Sequence, residues 1–211
     1  SRTDKFLHFF LLRLVSPPAL LKTASHDLSR FASCYEKRTK RGGFMVWFWY
    51  FLIYSFLGFL VEVAYVRLVG GVKRDRKCRL VLPICPVYGL GALAILLLPP
   101  LVRDSLPLLF PAAALVCTAV EYVTGLFYEK VFRVSFWDYS HLPLNLGGRV
   151  CLLFALFWGV LALLVLHVIH PAAAWLAARI PLWAFPPAVL ATALDTLLTA
   201  LLYAGRRSSL R

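Results

Sequence analysis

Five long apolar runs dominate the sequence, and each approaches the roughly 20 residues that an α-helix needs to cross a bilayer. The runs are too long for strands, and their apolar residues do not alternate with polar ones, which excludes a β-structure. We therefore predict an all-α, polytopic membrane helical bundle with about five transmembrane helices. The predicted spans are residues 44–69, 84–102, 106–128, 150–169 and 182–203.

Glycine and proline residues predict where these helices end. Gly70-Gly71 follows the first run, Pro99-Pro100 ends the second, Pro171 ends the fourth and Gly205 ends the fifth. Glycine tolerates the backbone turn after a helix, and proline lacks the amide that would continue one. The second run is short and has glycines near its start, so it is the weakest as a full span.

The composition supports a membrane protein. Apolar residues make up 61% of the chain and charged residues 16%, whereas a soluble domain typically has about 45–50% and about 25%. The mean hydropathy is +0.76. A soluble enzyme, a disordered chain and a secreted disulfide scaffold are excluded. The five cysteines show no CxxC or Cys/His spacing, and we expect no catalytic residue, no metal and no cofactor.

The net charge of +13 comes from short basic blocks between the apolar runs. Such blocks mark cytoplasmic loops, and no nucleic-acid motif accompanies them, so we expect the lipid bilayer as partner and no nucleic acid. Eleven basic residues lie in the first loop, the third loop and the tail, against Arg103 and Arg179 in the opposite loops. We predict that loops 70–83 and 129–149 and the C-terminus are cytoplasmic in a bacterial cell membrane.

Three segments are predicted: a basic N-terminal segment 1–43, a single transmembrane domain 44–205 and a basic cytoplasmic tail 206–211. The first segment has an apolar stretch at 6–21 that is interrupted by Arg13. Three hypotheses for it stay open: an amphipathic anchor at the membrane interface, a poor sixth span, or sequence upstream of a true start at Met45, the chain's single methionine.

Polar residues recur at helical spacing on three of the predicted spans, which places each set on one helix face. We expect these three faces to meet inside the bundle, because polar groups in a bilayer seek one another or a water-filled cavity. The sets are Tyr54, Gly58, Glu62 and Tyr65 on the first span, Thr118, Glu121, Gly125 and Glu129 on the third, and Thr192, Asp195, Thr199 and Tyr203 on the fifth.

The acidic residues within these sets allow two interpretations. In one, Glu62 and Glu121 are charges in a pathway or pocket for a polar or cationic solute. In the other, they join helices by hydrogen bonds or pair with Arg67, Lys130 or Arg149. We favour a functional role for Glu62 and Glu121 and a structural role for Glu129, and Asp195 stays undecided.

Two loops carry unusual residue mixtures for short connections. The first contains Pro83, Cys85, Pro86, Tyr88 and Gly89, which predict a broken helix entry that could line a cavity. The third mixes residues suited to the headgroup region with hydrogen-bonding groups and glycines. Its candidate residues are Trp137, Asp138, Tyr139, Ser140, Asn145, Gly148 and Arg149, and the structural alternative is a capped loop in which Asp138 pairs with Arg149.

The order of these motifs resembles the bacterial family of putative ABC-transporter permeases (type IV) from about residue 45 to residue 159. The resemblance implies a small multi-span permease and supports a start at Met45. The motifs that carry it are Tyr54-Ser-Phe-Leu-Gly58 with Glu62, Pro83-Ile-Cys-Pro-Val-Tyr-Gly89, Glu121-Tyr-x-x-Gly125 with Glu129, Trp137-Asp-Tyr-Ser140, and Asn145-Leu-Gly-Gly-Arg149.

Our leading hypothesis is a permease subunit of an ABC-type transporter. The chain has no GxxxxGK[ST] phosphate loop, so a separate ABC ATPase subunit would dock on loops 70–83 and 129–149. A carrier coupled to ions or protons and acting alone is the first alternative, with Glu62 and Glu121 as protonatable sites. A lipid-modifying enzyme and a non-transporting membrane protein are the others. The small number of spans makes a homo-oligomer or hetero-complex plausible.

Overall fold

The computed structural model of the protein describes residues 43–69 and 82–208. The predicted N-terminal segment 1–43, except its last residue, lies outside the described residues, as do most of the first basic loop and residues 209–211. Met45–Arg211 belong to one compact unit of the chain, and the site described here lies within it.

Most of the described residues fold into helices, numbered here in chain order. They are α1 (Gly43–Val69), α2 (Pro86–Leu96), α3 (Pro100–Arg103), α4 (Leu106–Phe127), α5 (Leu152–Leu164), α6 (His170–Arg179) and α7 (Phe185–Ser208). Two π-helical turns, Tyr128–Phe132 and Val165–Ile169, extend α4 and join α5 to α6. A 3₁₀ turn, Leu182–Ala184, precedes α7. The short strands β1 (Asn145–Leu146) and β2 (Val150–Cys151) pair antiparallel before α5.

Four of these helical segments are long and apolar enough to cross a membrane. Their outer surfaces keep large apolar side chains exposed, such as Leu115, which is 73% exposed. This is the surface that lipid would cover, and the predicted all-α membrane bundle is confirmed. The segments are Gly43–Leu68, Leu106–Phe132, Leu152–Arg179 and Leu182–Tyr203.

The second apolar run differs from a full span. It forms the 11-residue helix α2, which is about 16 Å long and reaches roughly half-way across a 30 Å hydrocarbon core. Pro83 and Pro86 keep the preceding chain extended, so helical structure cannot begin earlier. This buried start of α2 is bonded to α1, because the Cys85 N–H donates to the Ser55 carbonyl at 2.8 Å.

Two predicted helix ends are wrong. The fourth helical segment continues past Pro171, because the π-helical turn Val165–Ile169 runs directly into α6, which contains the proline at its second position. The last helix continues past Gly205 to Ser208. Glycine inside a helix costs only about 1 kcal/mol relative to alanine, which does not by itself end a helix.

α1 and α2 run antiparallel in close contact, because a glycine on each helix faces the other helix. A Cβ added at Gly89 would overlap Ser55 Oγ and lie 2.7 Å from the Phe51 carbonyl oxygen. A Cβ added at Gly58 would lie 2.6 Å from Tyr88 Cδ2. The contacts show that α2 begins beside the middle of α1 and runs back along its N-terminal half.

Two buried apolar clusters form the core. One joins α1, α2 and the second half of the long α5–α6 segment, and the other joins α2, α4 and α5. Many members are small, which allows the close helix contacts that stabilise bundles in lipid. The first cluster contains Tyr50, Tyr54, Ala92, Leu96, Val165, Ala173 and Ala177, and the second contains Ile95, Leu109, Ala113, Cys117, Trp158 and Ala162.

Candidate functional site

A cavity of about 370 Å³ lies where α2 no longer covers α1. α2 begins beside Ser55, and Glu62 lies seven residues further along α1, about 10 Å beyond that point. The remaining walls come from α4, α5 and the loop between them. This site cavity is lined by Val61, Glu62, Tyr65, Cys85, Val87, Tyr88, Glu121, Phe136, Trp137, Tyr139, Phe154, Phe157, Trp158, Val160, Leu161 and Leu164.

Glu62 is held at the cavity by a hydrogen bond from α2. The Tyr88 hydroxyl donates to Glu62 Oε1 at 2.8 Å. Tyr88 can reach this far because its ring lies over Gly58, one helical turn before Glu62 on α1. The side chain of Glu62 is partly exposed, so it remains accessible to a molecule in the cavity.

Glu121 lies deeper and is only 5% exposed. Each of its oxygens accepts a hydrogen bond: Oε1 from the Tyr139 hydroxyl at 3.0 Å and Oε2 from Trp158 Nε1 at 2.8 Å. The donors come from the α4–α5 loop and from α5, so one carboxylate connects three parts of the fold. A buried charged or polar group is stable only with such partners.

The loop between α4 and α5 is closed by its own polar side chains, which fix the position of Tyr139. Asp138 Oδ1 accepts from the Ser140 N–H at 2.9 Å. The Asn145 amide donates to the Leu142 carbonyl at 2.7 Å and accepts from the Gly148 N–H at 3.1 Å. The Tyr139 N–H in turn donates to the Gly148 carbonyl at 2.7 Å. These contacts hold the loop together as one wall of the site cavity.

Gly148 is required for this loop geometry, so we predict that Gly148→Ala loosens the wall. Its φ is +70°, and an added Cβ would lie 2.9 Å from Asp138 Oδ1. The left-handed backbone alone costs a non-glycine residue about 1–2 kcal/mol, and we expect a loss of unfolding free energy of at least that size. Thermal unfolding in detergent measures it. Gly91→Ala is the control, because its Cβ would meet Cys117 Sγ at an ordinary 3.6 Å; equal stability of the two variants would contradict the prediction.

Glu129 lies outside the cavity and pairs with Arg149. The Arg149 Nε and Nη2 both donate to Glu129 Oε2, the former at 2.9 Å. The Glu129 carboxylate raises the pKa of Arg149 above its ordinary value through these hydrogen bonds. The Trp137 indole N–H donates to the Arg149 carbonyl at 2.8 Å, and the same ring packs against Gly125, where a Cβ would lie 3.3 Å from it. This group joins the loop to the end of α4.

The other predicted residues lie away from the cavity. The Tyr54 hydroxyl contacts His170 Nδ1 at 2.9 Å in the first apolar cluster. Asp195, only 3% exposed, accepts from the Leu82 N–H at 3.4 Å. Asp195 and Thr199 of α7 are buried, but no α7 residue is among the described residues that line the cavity, which brings together the polar faces of α1 and α4. That the α7 face joins them stays a prediction. Pro83 is exposed before α2.

Sequence reasoning missed four of the eight aromatic residues that line the cavity: Phe136, Phe154, Phe157 and Trp158. Trp158, Phe154 and Phe157 stand in a continuous apolar run, where nothing distinguishes a cavity residue from a lipid-facing one. Trp158 offered one signal, because a buried indole N–H needs an acceptor and Glu121 lies on the preceding span. The stacking of Tyr139 on Phe154, with ring centroids 4.5 Å apart, has no counterpart in the local sequence pattern.

The site cavity combines two carboxylates with aromatic and aliphatic walls, an arrangement suited to binding a molecule. Among residues 43–69 and 82–208, no three His, Cys, Asp or Glu side chains are grouped so that they could hold a metal ion. The cavity volume falls within the range of roughly 300–1,000 Å³ that is common for small-molecule sites.

Comparison with known proteins gives a family and no close relative. No curated protein and no solved structure matches the chain. A sequence model of the family described as "Putative ABC-transporter type IV" matches residues 49–201, which include all of α2 to α6, most of α1 and α7, and both acidic residues of the site cavity. The helical bundle and this match agree with a membrane transporter-like protein. The chain belongs to the putative ABC-transporter type IV family.

Proposed function

We propose that the protein is the membrane permease subunit of an ABC-type transporter and that its solute binds in the site cavity. The observation that carries this proposal is that α1 and α4 each contribute a carboxylate, Glu62 and Glu121, to one cavity. Acidic side chains in membrane-spanning helices are costly and usually serve a substrate or ion pathway. Family membership supplies the class of transporter.

Energy would come from an ATPase on a separate chain, since the sequence has no phosphate-binding loop. In this proposal the ATPase docks on the first and third loops, which we assign to the cytoplasmic face from their basic residues. The third loop is directly connected to the cavity, because Tyr139 bonds to Glu121 and Trp137 is part of the wall. A movement of this loop would therefore shift or break the hydrogen bond from Tyr139 and so change the position of the Glu121 carboxylate.

A carrier driven by an ion or proton gradient is a second candidate. The same pair of acids in one cavity favours it, because protonatable carboxylates inside spans serve as coupling sites in such carriers. The two candidates differ in energy source: ATP hydrolysis by a partner in one case, an ion gradient in the other. No contact of the described residues favours a lipid-modifying enzyme or a non-transporting membrane protein.

Co-purification tests the permease proposal. The tagged chain is purified from the membranes of its native organism with mild detergent, and co-purifying chains are identified by mass spectrometry. We expect a polypeptide with a GxxxxGK[ST] motif and ATP hydrolysis that vanadate inhibits. An unrelated tagged membrane protein of similar size, purified in parallel, is the control for nonspecific capture. An ATPase that appears equally in both preparations would not support the proposal.

An experiment in sealed vesicles that contain the purified chain alone distinguishes the carrier from the ATP-dependent permease. A pH change inside the vesicles, driven by an imposed gradient and dependent on Glu62 and Glu121, would favour the carrier. That result, together with the absence of a co-purifying ATPase, would overturn the permease proposal.

A further inference from the structure

We propose that the site cavity binds an amphipathic organic cation, such as a protonated amine or a quaternary ammonium with an apolar body. This inference deepens the proposed function, since it names the chemical class of the solute, and it depends on the cavity being the solute site. It rests on the acidic groups, the aromatic surface and the remaining lining of the cavity.

The ionisable carboxyl groups of the cavity are not balanced by basic ones. Glu62 and Glu121 both line it, and no Lys, Arg or His is among the described residues of the lining. The nearby Arg149 is engaged by Glu129. Two carboxylates in a small apolar space attract a cation and repel an anion, and the low dielectric strengthens both effects.

Aromatic rings supply half of the lining. Tyr88, Tyr139 and Trp158 direct their polar atoms to the carboxylates, so they present mainly ring surface to a ligand. Tyr88 and Trp158 lie together at one wall, with ring centroids 5.0 Å apart. Aromatic faces attract ammonium groups, and cages of such rings are the usual site for quaternary ammonium ligands.

The rest of the lining favours an organic cation over a metal ion. Apart from Cys85, the remaining side chains are valines and leucines, which offer no oxygen ligands. Calcium takes six to eight oxygen ligands, and magnesium keeps a near-octahedral shell that includes several waters. An organic cation with an apolar body instead places its charge near Glu62 and covers the aliphatic surface of Val160, Leu161 and Leu164.

The two acids have different parts in this binding. Glu121 uses both oxygens to hold the loop and α5 together, so it contributes its acidic group from the buried part of the lining. Glu62 is more accessible and approaches the ligand directly. Removal of the Glu62 charge is therefore the sharpest test, because it changes the ligand contact with least damage to the hydrogen bonds around Glu121.

The test is equilibrium binding of radiolabelled benzyltrimethylammonium to the full chain in lipid nanodiscs. Two unlabelled compounds are compared as competitors of the label: the cation itself, and neopentylbenzene, which has the same heavy-atom skeleton without the charge. We expect the cation to displace the label at a concentration at least about 10-fold lower than the neutral compound, the effect of a desolvated cation–π and charge contact. We also expect Glu62→Gln to weaken cation binding about 10-fold or more, because the amide removes a charge–charge attraction that acts at low dielectric.

Asp104→Asn is the matched control, because it makes the same carboxylate-to-amide change at an exposed position after α3. We expect it to bind the cation like the parent chain. If Glu62→Gln fails to fold, Tyr65→Leu serves as the second variant: it removes an aromatic ring at the cavity rim, and we expect it to weaken cation binding several-fold while leaving neopentylbenzene unaffected.

Equal potency of cation and neutral compound, no binding of either, or unchanged cation binding in the Glu62 and Tyr65 variants would overturn the cation assignment. These outcomes are separate from those of the co-purification. A specific ATPase partner without cation binding would leave the permease function and reject the solute class. Cation binding without an ATPase partner would retain the solute class and favour the carrier.

Discussion

Gly89→Ala is expected to lower the unfolding free energy by about 3 kcal/mol or more, at the upper end of the range for overpacked sites. The added methyl would overlap Ser55 Oγ and lie 2.7 Å from the Phe51 carbonyl oxygen. A side chain can rotate away, but a carbonyl within α1 cannot move without bending the helix. The substitution should therefore separate α2 from α1 and withdraw Tyr88 from Glu62.

Thermal unfolding of the purified protein in detergent, followed by near-ultraviolet circular dichroism, measures this loss. Gly91→Ala is the control on the same helix, since its Cβ would make only an ordinary contact with Cys117 Sγ. The double variant Gly89→Ala/Ser55→Ala removes the overlap with Ser55 Oγ and should recover part of the lost stability. Recovery should be incomplete, because the contact with the Phe51 carbonyl remains. Full recovery in the double variant, or equal stability of Gly89→Ala and Gly91→Ala, would show that the contact with the Phe51 carbonyl does not cause the loss of stability.

Glu121→Leu is expected to destabilise the protein by about 2 kcal/mol more than Glu121→Gln. Leucine leaves the Trp158 N–H and the Tyr139 hydroxyl without their acceptor, and each buried unsatisfied donor costs about 1–3 kcal/mol. Glutamine can keep both partners: its oxygen accepts from Trp158, which can only donate, and its amide donates to the Tyr139 hydroxyl, which can also accept. The amide therefore preserves the network while it removes the charge.

The same unfolding measurement compares the two variants with the parent protein. Tyr139→Phe, which removes one donor together with its demand for an acceptor, should lose less stability than Glu121→Leu. If Glu121→Gln proves as unstable as Glu121→Leu, the charge itself, and not the pair of hydrogen bonds, holds the loop to α5. That result would also make Glu121→Gln unsuitable for separating charge from structure in binding experiments.

The helical architecture could be predicted because the bilayer imposes it: long apolar runs that must satisfy their own backbone become helices. The weakness of the second run was also visible, since prolines precede its start and glycines follow. Its outcome, the half-length α2, depends on a hydrogen bond from Cys85 to Ser55 and on glycine contacts far apart in sequence. No local pattern contains such contacts.

The positions of the acidic side chains within the bundle could be predicted less well. Helical spacing places Glu62 and Glu121 on interior faces, and the structure brings both to one cavity. The same spacing placed Asp195 in that group, yet the structure puts it beside Leu82 instead. The rotation of a helix about its axis is decided by its neighbours, and a period of 3.6 residues shows only that a polar face exists.

The segment Leu152–Arg179 has a further consequence for the surrounding lipid. Its 28 residues rise about 42 Å, some 12 Å more than the acyl region of an average bilayer. The π-helical turn before Pro171 keeps this rod continuous where a break would have shortened it. In a membrane it must lean, protrude or stretch the adjacent lipids, so the acyl-chain length chosen for reconstitution will influence how the protein is oriented.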